Sequence, residues 1–426
     1  MENELQSIEK HSVWEVVDKP IDSELIKSKW VSTVKDDKEQ NSIKYKAPLV
    51  AAGYNQIKRK DYDESYAPVV SIEAWRLLML IGVKLHWKFK FFDVKTAYLY
   101  GEINEKVLLT LPPGFEKYYG DNKVLKLRKS IPGLPQFGRN WYLKLKNTLT
   151  GIGFKQLTSE NSIFTLAEGR NIIVIAAYVD DLTILYGNTD LFNKIISQIK
   201  ETFEVVETTN ANTFLYIKVA RFKTGIGLSQ EEYIEKLLRK HNMYVCNAVS
   251  TPIVPGEDKN CETSTDVIDQ ELYQETIGEL LYIANRIRPD IAFVVSYLSQ
   301  FNHRPERRHL LLTKRVLSYL RGTKDKILYY SDEHGNLEAY SYASWGNAEG
   351  GKSFSGGAIL IGELLVMWRC NKQKCVGLST CTVELFACAE IVKDTTWVSN
   401  VLAEMNLEIF CPKPTIMYCD NTAAIE

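Results

Sequence analysis

The 426-residue chain has almost no net charge: 52 Lys and Arg stand against 53 Asp and Glu, leaving a formal −1. That excludes a global field drawing the molecule to anionic partners, so any nucleic-acid affinity has to come from local basic patches. Long apolar runs are also missing. Stretches such as residues 172–178 (IIVIAAY) are far too short to span a bilayer, so no membrane partner is expected. The opening MENELQSIEKHSVWEVV has no basic segment followed by an apolar core, and no signal peptide is expected. Cysteine is scarce. There are eight, none in a Cys-x-x-Cys pair, and the cluster Cys370, Cys375, Cys381 and Cys388 has no histidine close by to complete a zinc set. A disulfide framework is excluded, and reduced, mostly buried thiols in an intracellular protein are expected.

What is present is globular: 45% hydrophobic and 25% charged residues, in a length that calls for two or three domains. Short β-rich pieces at 29–35 and 49–52 precede a basic loop, 56–61. Apolar spacing predicts a helix over 71–85 with Ser71 as N-cap. Further helices are predicted at 141–149, 190–203, 269–286, 289–301 and 305–321, the last stopping at Gly322. A capping box, Ser229 with Glu232, opens another helix over 229–241. Residues 251–265 (TPIVPGEDKNCETST) read as a linker. The last hundred residues change rhythm, with strands at 326–330, 337–343, 356–361 and 364–369, a helix at 383–405 and a strand at 415–419. That order predicts a separate mixed α/β unit.

Two features stand out chemically. Residues 171–188, NIIVIAAYVDDLTILYGN, set two buried β runs around Val179, Asp180 and Asp181, which reads as a hairpin with adjacent carboxylates at its tip. Taken alone, the stretch is better explained as a polar turn, because Asp favours turns. In 88–100, KFKFFDVKTAYLY, Asp93 lies at the inner end of a strand among aromatics, where an unpartnered carboxylate is costly. If the strands pair in one sheet, three acids converge. They would repel one another unless divalent cations neutralise them. Oxygen ligands suit Mg²⁺, and two such ions about 4 Å apart can clamp both oxygens of a phosphoryl transfer.

An aspartate in FDVKTAYLYGEI followed by YVDD in a hairpin resembles the reverse transcriptases of copia-type retrotransposons. KWVSTVK, YKAPLVAAGYNQ, YAPVVS, LPPGF, GLPQFGRNWY, SQEEYIEKLL, TPI, RPDIAFVVSYLSQF and VLSYLRGTK follow in the family's order, and SYASW, KQKCVGLSTCTVEL and YCDNTAAI resemble its RNase H region. The resemblance implies an α+β multidomain fold. A right-hand polymerase of fingers, palm and thumb would occupy residues 1–249, linker and connection helices 250–325, and an RNase H-like α/β domain, incomplete at its C-terminus, 326–426. It implies an RNA-directed DNA polymerase extending a primer 3′-hydroxyl with dNTPs on an RNA template. Asp93, Asp180 and Asp181 would hold two Mg²⁺ ions, with Mn²⁺ as an alternative. Tyr98 would crowd a 2′-hydroxyl, and Gln136 and Arg139 would lie at the nucleotide and template. Other Pol or Gag products of the element are implied as partners, and a cytoplasmic virus-like particle as the location.

The chain departs from the family at several positions. Pro48 and Ala52 replace an Arg and a Lys expected to meet triphosphate or template, and Pro48 also removes a strand donor. Pro132, Pro135, Phe137 and Gly138 remodel the loop around Gln136, and Tyr216 replaces a turn glycine. In the RNase H region Tyr342 and Ser344 replace two aspartates, the first of them catalytic, while Glu384 and Asp420 match the second and third catalytic acids. No nuclease activity is expected, and Tyr342→Asp alone should not restore it. The alternative to a working polymerase is a decayed or co-opted nucleic-acid-binding relic. A glycosidase using paired acids does not account for the other matching segments.

Overall fold

The computed structural model describes residues 8–21, 24–37, 42–113, 115–120, 122–208, 213–254 and 269–426. The chain divides into two compact bodies, one of residues 1–70 and 90–208, the other of residues 71–89 and 209–426. Most of the proposed linker lies outside the described residues. Among those described, no helix is long and apolar enough to cross a membrane.

The helix predicted over 71–85 is α1 (Ile72–Lys84), and Ser71 Oγ accepts the Ala74 N–H at 3.2 Å as its N-cap. The largest sheet of the first body has six strands: β1 (Lys88–Val94), β2 (Lys155–Gln156), β3 (Ile163–Glu168), β4 (Asn171–Tyr178), β5 (Asp181–Tyr186) and β6 (Val205–Glu207). Their sheet order is β6-β1-β5-β4-β3-β2. The helices α2 (Phe137–Ile152) and α3 (Thr189–Thr202) supply apolar stripes to this sheet. Trp141, Leu145 and Leu149 join Phe192, Ile195 and Ile199 in one core with Phe92, Val94, Ile175 and Ile184. A smaller core in the same body gathers Leu49, Ala51, Leu109, Leu125 and Leu134.

In the second body β7 (Thr213–Phe214), β8 (Ile217–Phe222) and β9 (Gly225–Ser229) lead into α4 (Glu231–Lys240). The expected capping box is not formed. Ser229 finishes a strand, the N-cap is Gln230, and Ser229 Oγ accepts the Glu231 N–H instead. Leu215 and Tyr216 both have positive φ, 49° and 58°, in the β7–β8 turn, so Tyr216 does occupy a position that glycine would fill without strain.

Next come α5 (Gln270–Arg286), α6 (Ala292–Ser299) and α7 (Arg307–Gly322), which pack with α4 around Ile277, Leu280, Val294, Leu298 and Val316. The basic face of α7 is partly used at home: Arg315 donates to Thr251 and Arg321 to the Tyr244 carbonyl. The strand β10 (Leu328–Ser331) pairs with β9 and not with the strands that follow it. Those are β11 (Leu337–Ser344), β12 (Phe354–Ile361) and β13 (Leu364–Lys372), then α8 (Thr380–Glu404) and β14 (Ile416–Cys419). Their sheet order is β13-β12-β11-β14, and β14 runs parallel to β11.

Arg76, on α1, is fully buried in this second body. It donates to the carbonyls of Asn285, Arg286 and Val366 and lies 3.7 Å over the Trp368 ring. The thiols differ from expectation: of the seven described cysteines only Cys411 is buried, Cys375 is exposed and the others are intermediate.

Candidate active site

Asp93 is the penultimate residue of β1, after the buried Phe91 and Phe92 and before the buried Val94. In the β4–β5 hairpin Tyr178 pairs with Asp181, so Val179 and Asp180 form a two-residue loop and Asp181 begins β5. The Val94 N–H donates to the Asp180 carbonyl at 2.9 Å, which fixes the end of β1 beside the hairpin tip. Val179 sits at φ 57°, a region hostile to a β-branched side chain. Such strain costs on the order of 1–3 kcal/mol and persists only where neighbours enforce it. One of these neighbours is Trp141, whose indole N–H donates to the Val179 carbonyl at 2.8 Å.

The acids feel one another. Burial, then Asp180, then Asp93 push the Asp181 carboxyl up to about 6. Asp93 is held by Lys95, with Nζ 2.5 Å from Oδ2. Tyr98, on the turn after β1, has its hydroxyl pushed up to about 12, mainly by burial and then by Asp180 and Tyr178. Its ring stacks on Phe137, centroids 4.0 Å apart and planes at 24°. One residue by which this chain departs from the family therefore props another that the resemblance singles out.

Gln136 and Arg139 sit differently from a direct nucleotide contact. Gln136 is 1% exposed, and neither of its side-chain amide atoms has a partner among the described residues. As placed, it supports the loop from within and presents no amide to solvent. Arg139 is engaged with Glu64 at 3.0 Å and with the Tyr66 carbonyl. Ala52 is buried, and its N–H donates to the Lys27 carbonyl. Pro48 lies just outside a strand, where its missing N–H costs no ladder bond, and its carbonyl accepts from Val31. The segment around Ala52 packs tightly on the Gln136 loop: a Cβ on Gly133, at φ 95°, would stand 2.0 Å from the Ala51 carbonyl oxygen, and one on Gly53 2.3 Å from that of Gly133.

The second acid pair lies in the other body. Glu384, on α8, is 3% exposed and accepts the Ala343 N–H at 2.8 Å. Among the described residues, the group of His, Cys, Asp or Glu donors that falls within 4.8 Å of one another is Glu384, Cys419 and Asp420. Asp93, Asp180 and Asp181 do not form so tight a set. Burial and then Asp420 raise the Glu384 carboxyl. Tyr342 is 54% exposed, with alternation along β11 setting it on the face away from the buried Ser341 and Ala343. Ser344 Oγ donates to Asn347 at 2.7 Å.

The sequence reading missed Lys95, Val179, Trp141 and Phe137 as parts of the first site. Lys95 had a signal, since two residues along a strand share a face. For Trp141 and Phe137 the helix pattern indicated burial and nothing more.

The reverse transcriptase (RNA-dependent DNA polymerase) family profile matches residues 11–255. The Retrovirus-related Pol polyprotein from transposon RE1 of Arabidopsis thaliana is 33% identical over the whole chain, which covers 29% of that protein. The Pol polyprotein from transposon TNT 1-94 of Nicotiana tabacum is 31% identical, again over the whole chain and 33% of the relative. The chain thus spans about a third of the length of the curated relatives it matches. A solved foamy viral protease-reverse transcriptase in complex with double-stranded DNA is similar in fold, with TM-score 0.52, 12% identity, and 99% of this chain and 69% of that one covered. The chain belongs to the reverse transcriptase family, among the Pol polyproteins of copia-type retrotransposons.

Proposed function

We propose that this chain is the RNA-directed DNA polymerase part of a copia-type retrotransposon Pol polyprotein, adding dNTPs to a primer 3′-hydroxyl on an RNA template. The observation that carries the reading is the Val94–Asp180 hydrogen bond, which joins the strand of Asp93 to the Asp180–Asp181 hairpin. Residues 1–249 would be fingers, palm and thumb, 250–325 the connection, and 326–426 an RNase H-like domain. The protein would work inside the cell in a particle with other Pol and Gag products.

The site fits divalent cations on electrostatic grounds: burial and then two neighbouring acids raise the Asp181 carboxyl, and positive charge there would stabilise its ionised form. Asp93, Asp180 and Asp181 would hold two Mg²⁺, or Mn²⁺, and when bound these ions would ease ionisation of the 3′-hydroxyl and neutralise phosphate charge. The residues of the chain do the rest. Lys95 compensates Asp93 until a cation takes its place. The neutral Tyr98 ring, braced by Phe137, closes the space a 2′-hydroxyl would need. Arg139, through Glu64 and Tyr66, and Gln136, from within, hold the wall beside it.

A non-catalytic nucleic-acid-binding relic is the second reading, favoured by the uncharged Pro48 and the buried Ala52. Primer extension on an RNA template with Mg²⁺ and dNTPs separates the two. Extension by the wild type and none by Asp180→Asn supports the polymerase, whereas equal, background extension by both supports the relic. The nuclease is proposed to be inactive, because Tyr342 and Ser344 supply no carboxylate. Cleavage of an RNA–DNA hybrid by the purified chain would overturn that part.

A further inference from the structure

Tyr216 stands where a glycine would fit without strain. Phe214 pairs with Ile217, so Leu215 and Tyr216 form the two-residue tip of the β7–β8 hairpin, at φ 49° and 58°. A side chain at positive φ costs free energy that glycine avoids, and such strain persists where the surroundings enforce it. Here they do. Phe214 stacks on the buried Trp75, centroids 4.9 Å apart and planes at 15°, and Ile217 is fully buried. The Tyr282 hydroxyl donates to the Leu215 carbonyl at 2.7 Å.

The strain holds one ring in solvent: Tyr216 is 65% exposed. It leans on Tyr233 of α4, centroids 5.7 Å apart, and Tyr233 meets Tyr282 of α5 at 4.9 Å. The Arg286 guanidinium lies 4.5 Å over the Tyr282 ring. Three rings from three elements thus form a row with a cation at its inner end and an open ring at its outer end. Burial and then Glu279 raise the Tyr233 hydroxyl, but both Glu279 oxygens are already taken, by Lys240 at 2.7 Å and His241 at 2.9 Å. Lys218 is exposed on β8, two residues beyond the ring.

The chemistry of this row selects its ligand. An apolar partner needs a continuous patch, and the residues flanking the tip, Phe214 and Ile217, are both buried. A single exposed ring, backed by further rings and by cations, suits a flat base carried on an anionic backbone. Within a duplex the faces of each base are covered by its neighbours, so the base has to be unpaired. We infer that Tyr216 is a stacking contact for an unpaired base of single-stranded DNA or RNA, held out by the hairpin and braced by Tyr233 and Tyr282. The inference rests on the proposal that this chain handles nucleic acid, and not on catalysis.

The test titrates the full chain with a labelled single-stranded oligodeoxynucleotide and, separately, with the same strand fully paired. Tyr216→Gly removes the ring and suits the backbone, so its urea midpoint should equal or exceed that of the wild type. Its affinity for the single strand should fall about fivefold or more, with affinity for the duplex unchanged. That ratio should persist as salt is raised, because stacking releases no counterions. Tyr216→Phe keeps the ring and should retain the wild-type affinity. Equal single-strand affinities of wild type and Tyr216→Gly overturn the inference and leave the polymerase proposal standing. Equal losses on single strand and duplex also overturn it. A wild type that binds neither overturns the inference and the nucleic-acid proposal together.

Discussion

The Val94 N–H donates to the Asp180 carbonyl at 2.9 Å, a tie at the tip of the neighbouring strands β1 and β5 that bring together the acids proposed for the polymerase site. It holds the loop from one side while Trp141 holds it from the other through the Val179 carbonyl, 2.8 Å from its indole nitrogen. Between them the strained Val179 has no room to relax. Trp141→Phe removes the hydrogen bond and leaves a small void. We expect a loss of about 2 kcal/mol in stability and slower nucleotide incorporation with unchanged primer–template affinity. Denaturant midpoints and single-turnover rates measure the two effects, and an unchanged rate would remove the loop's geometry from the account.

Phe137 stacks on Tyr98, so the aromatic proposed to exclude ribonucleotides is positioned by a second ring. A stacked pair contributes roughly 0.5–1.5 kcal/mol. Phe137→Ala should therefore reduce discrimination against ribonucleotides by up to about tenfold, and Phe137→Tyr should retain it. The ratio of dNTP to rNTP incorporation is the readout. Equal ratios in all three proteins would show that Tyr98 needs no support.

Asp181 should leave a mark on stability in the absence of divalent ions. Its folded value, about 6, lies above its ordinary value of 3.8. Below about pH 4 the carboxyl is protonated in both states and contributes nothing. Between about pH 4 and 6 the folded protein keeps a proton that the unfolded chain has released, and stability falls as the pH rises. Asp181→Asn removes this fall, so its advantage over the wild type should grow from about pH 4 to 6 and then level off. Urea midpoints across that range test it, and a pH-independent difference would contradict it.

Arg76 gives three carbonyls a donor and covers Trp368, all in the second body. Its nearest ion-pair contact, Glu73, is 3.8 Å away, so the guanidinium is satisfied mainly by backbone. Truncation to Ala should cost about 3–5 kcal/mol, because buried carbonyls lose their partners along with the packing. Arg76→Lys should recover only part of this, since an ammonium lacks the planar fork. Chemical denaturation of the two variants provides the comparison.

The local shape of the first site was legible because continuous apolar, β-rich runs on both sides of Val179–Asp181 point to a hairpin of buried strands. The phenylalanines before Asp93 likewise mark a strand end. The order of helices after residue 269 was also readable from apolar spacing. Arg76 was not, since its acceptors lie 209, 210 and 290 residues away and its helix already had an adequate apolar pattern. Ser229 misled because a strand end and a helix cap favour the same small polar residue. The strand at Leu328–Ser331 was read with the strands after it, yet its partner is Gly225–Ser229, a pairing that local pattern does not encode. Glu384 and Cys419 meet only because β14 runs parallel to β11, a non-local fact.

The most direct test of the central claim is single-nucleotide incorporation into a DNA primer on an RNA template with Mg²⁺. It should compare the wild type with Asp93→Asn, Asp180→Asn and Asp181→Asn. Each substitution should slow incorporation about a thousandfold or more, near 4 kcal/mol of transition-state stabilisation, while primer–template affinity stays within a few-fold. Incorporation that survives in any one of the three would contradict a shared metal site, and a wild-type rate no higher than theirs would contradict the polymerase itself.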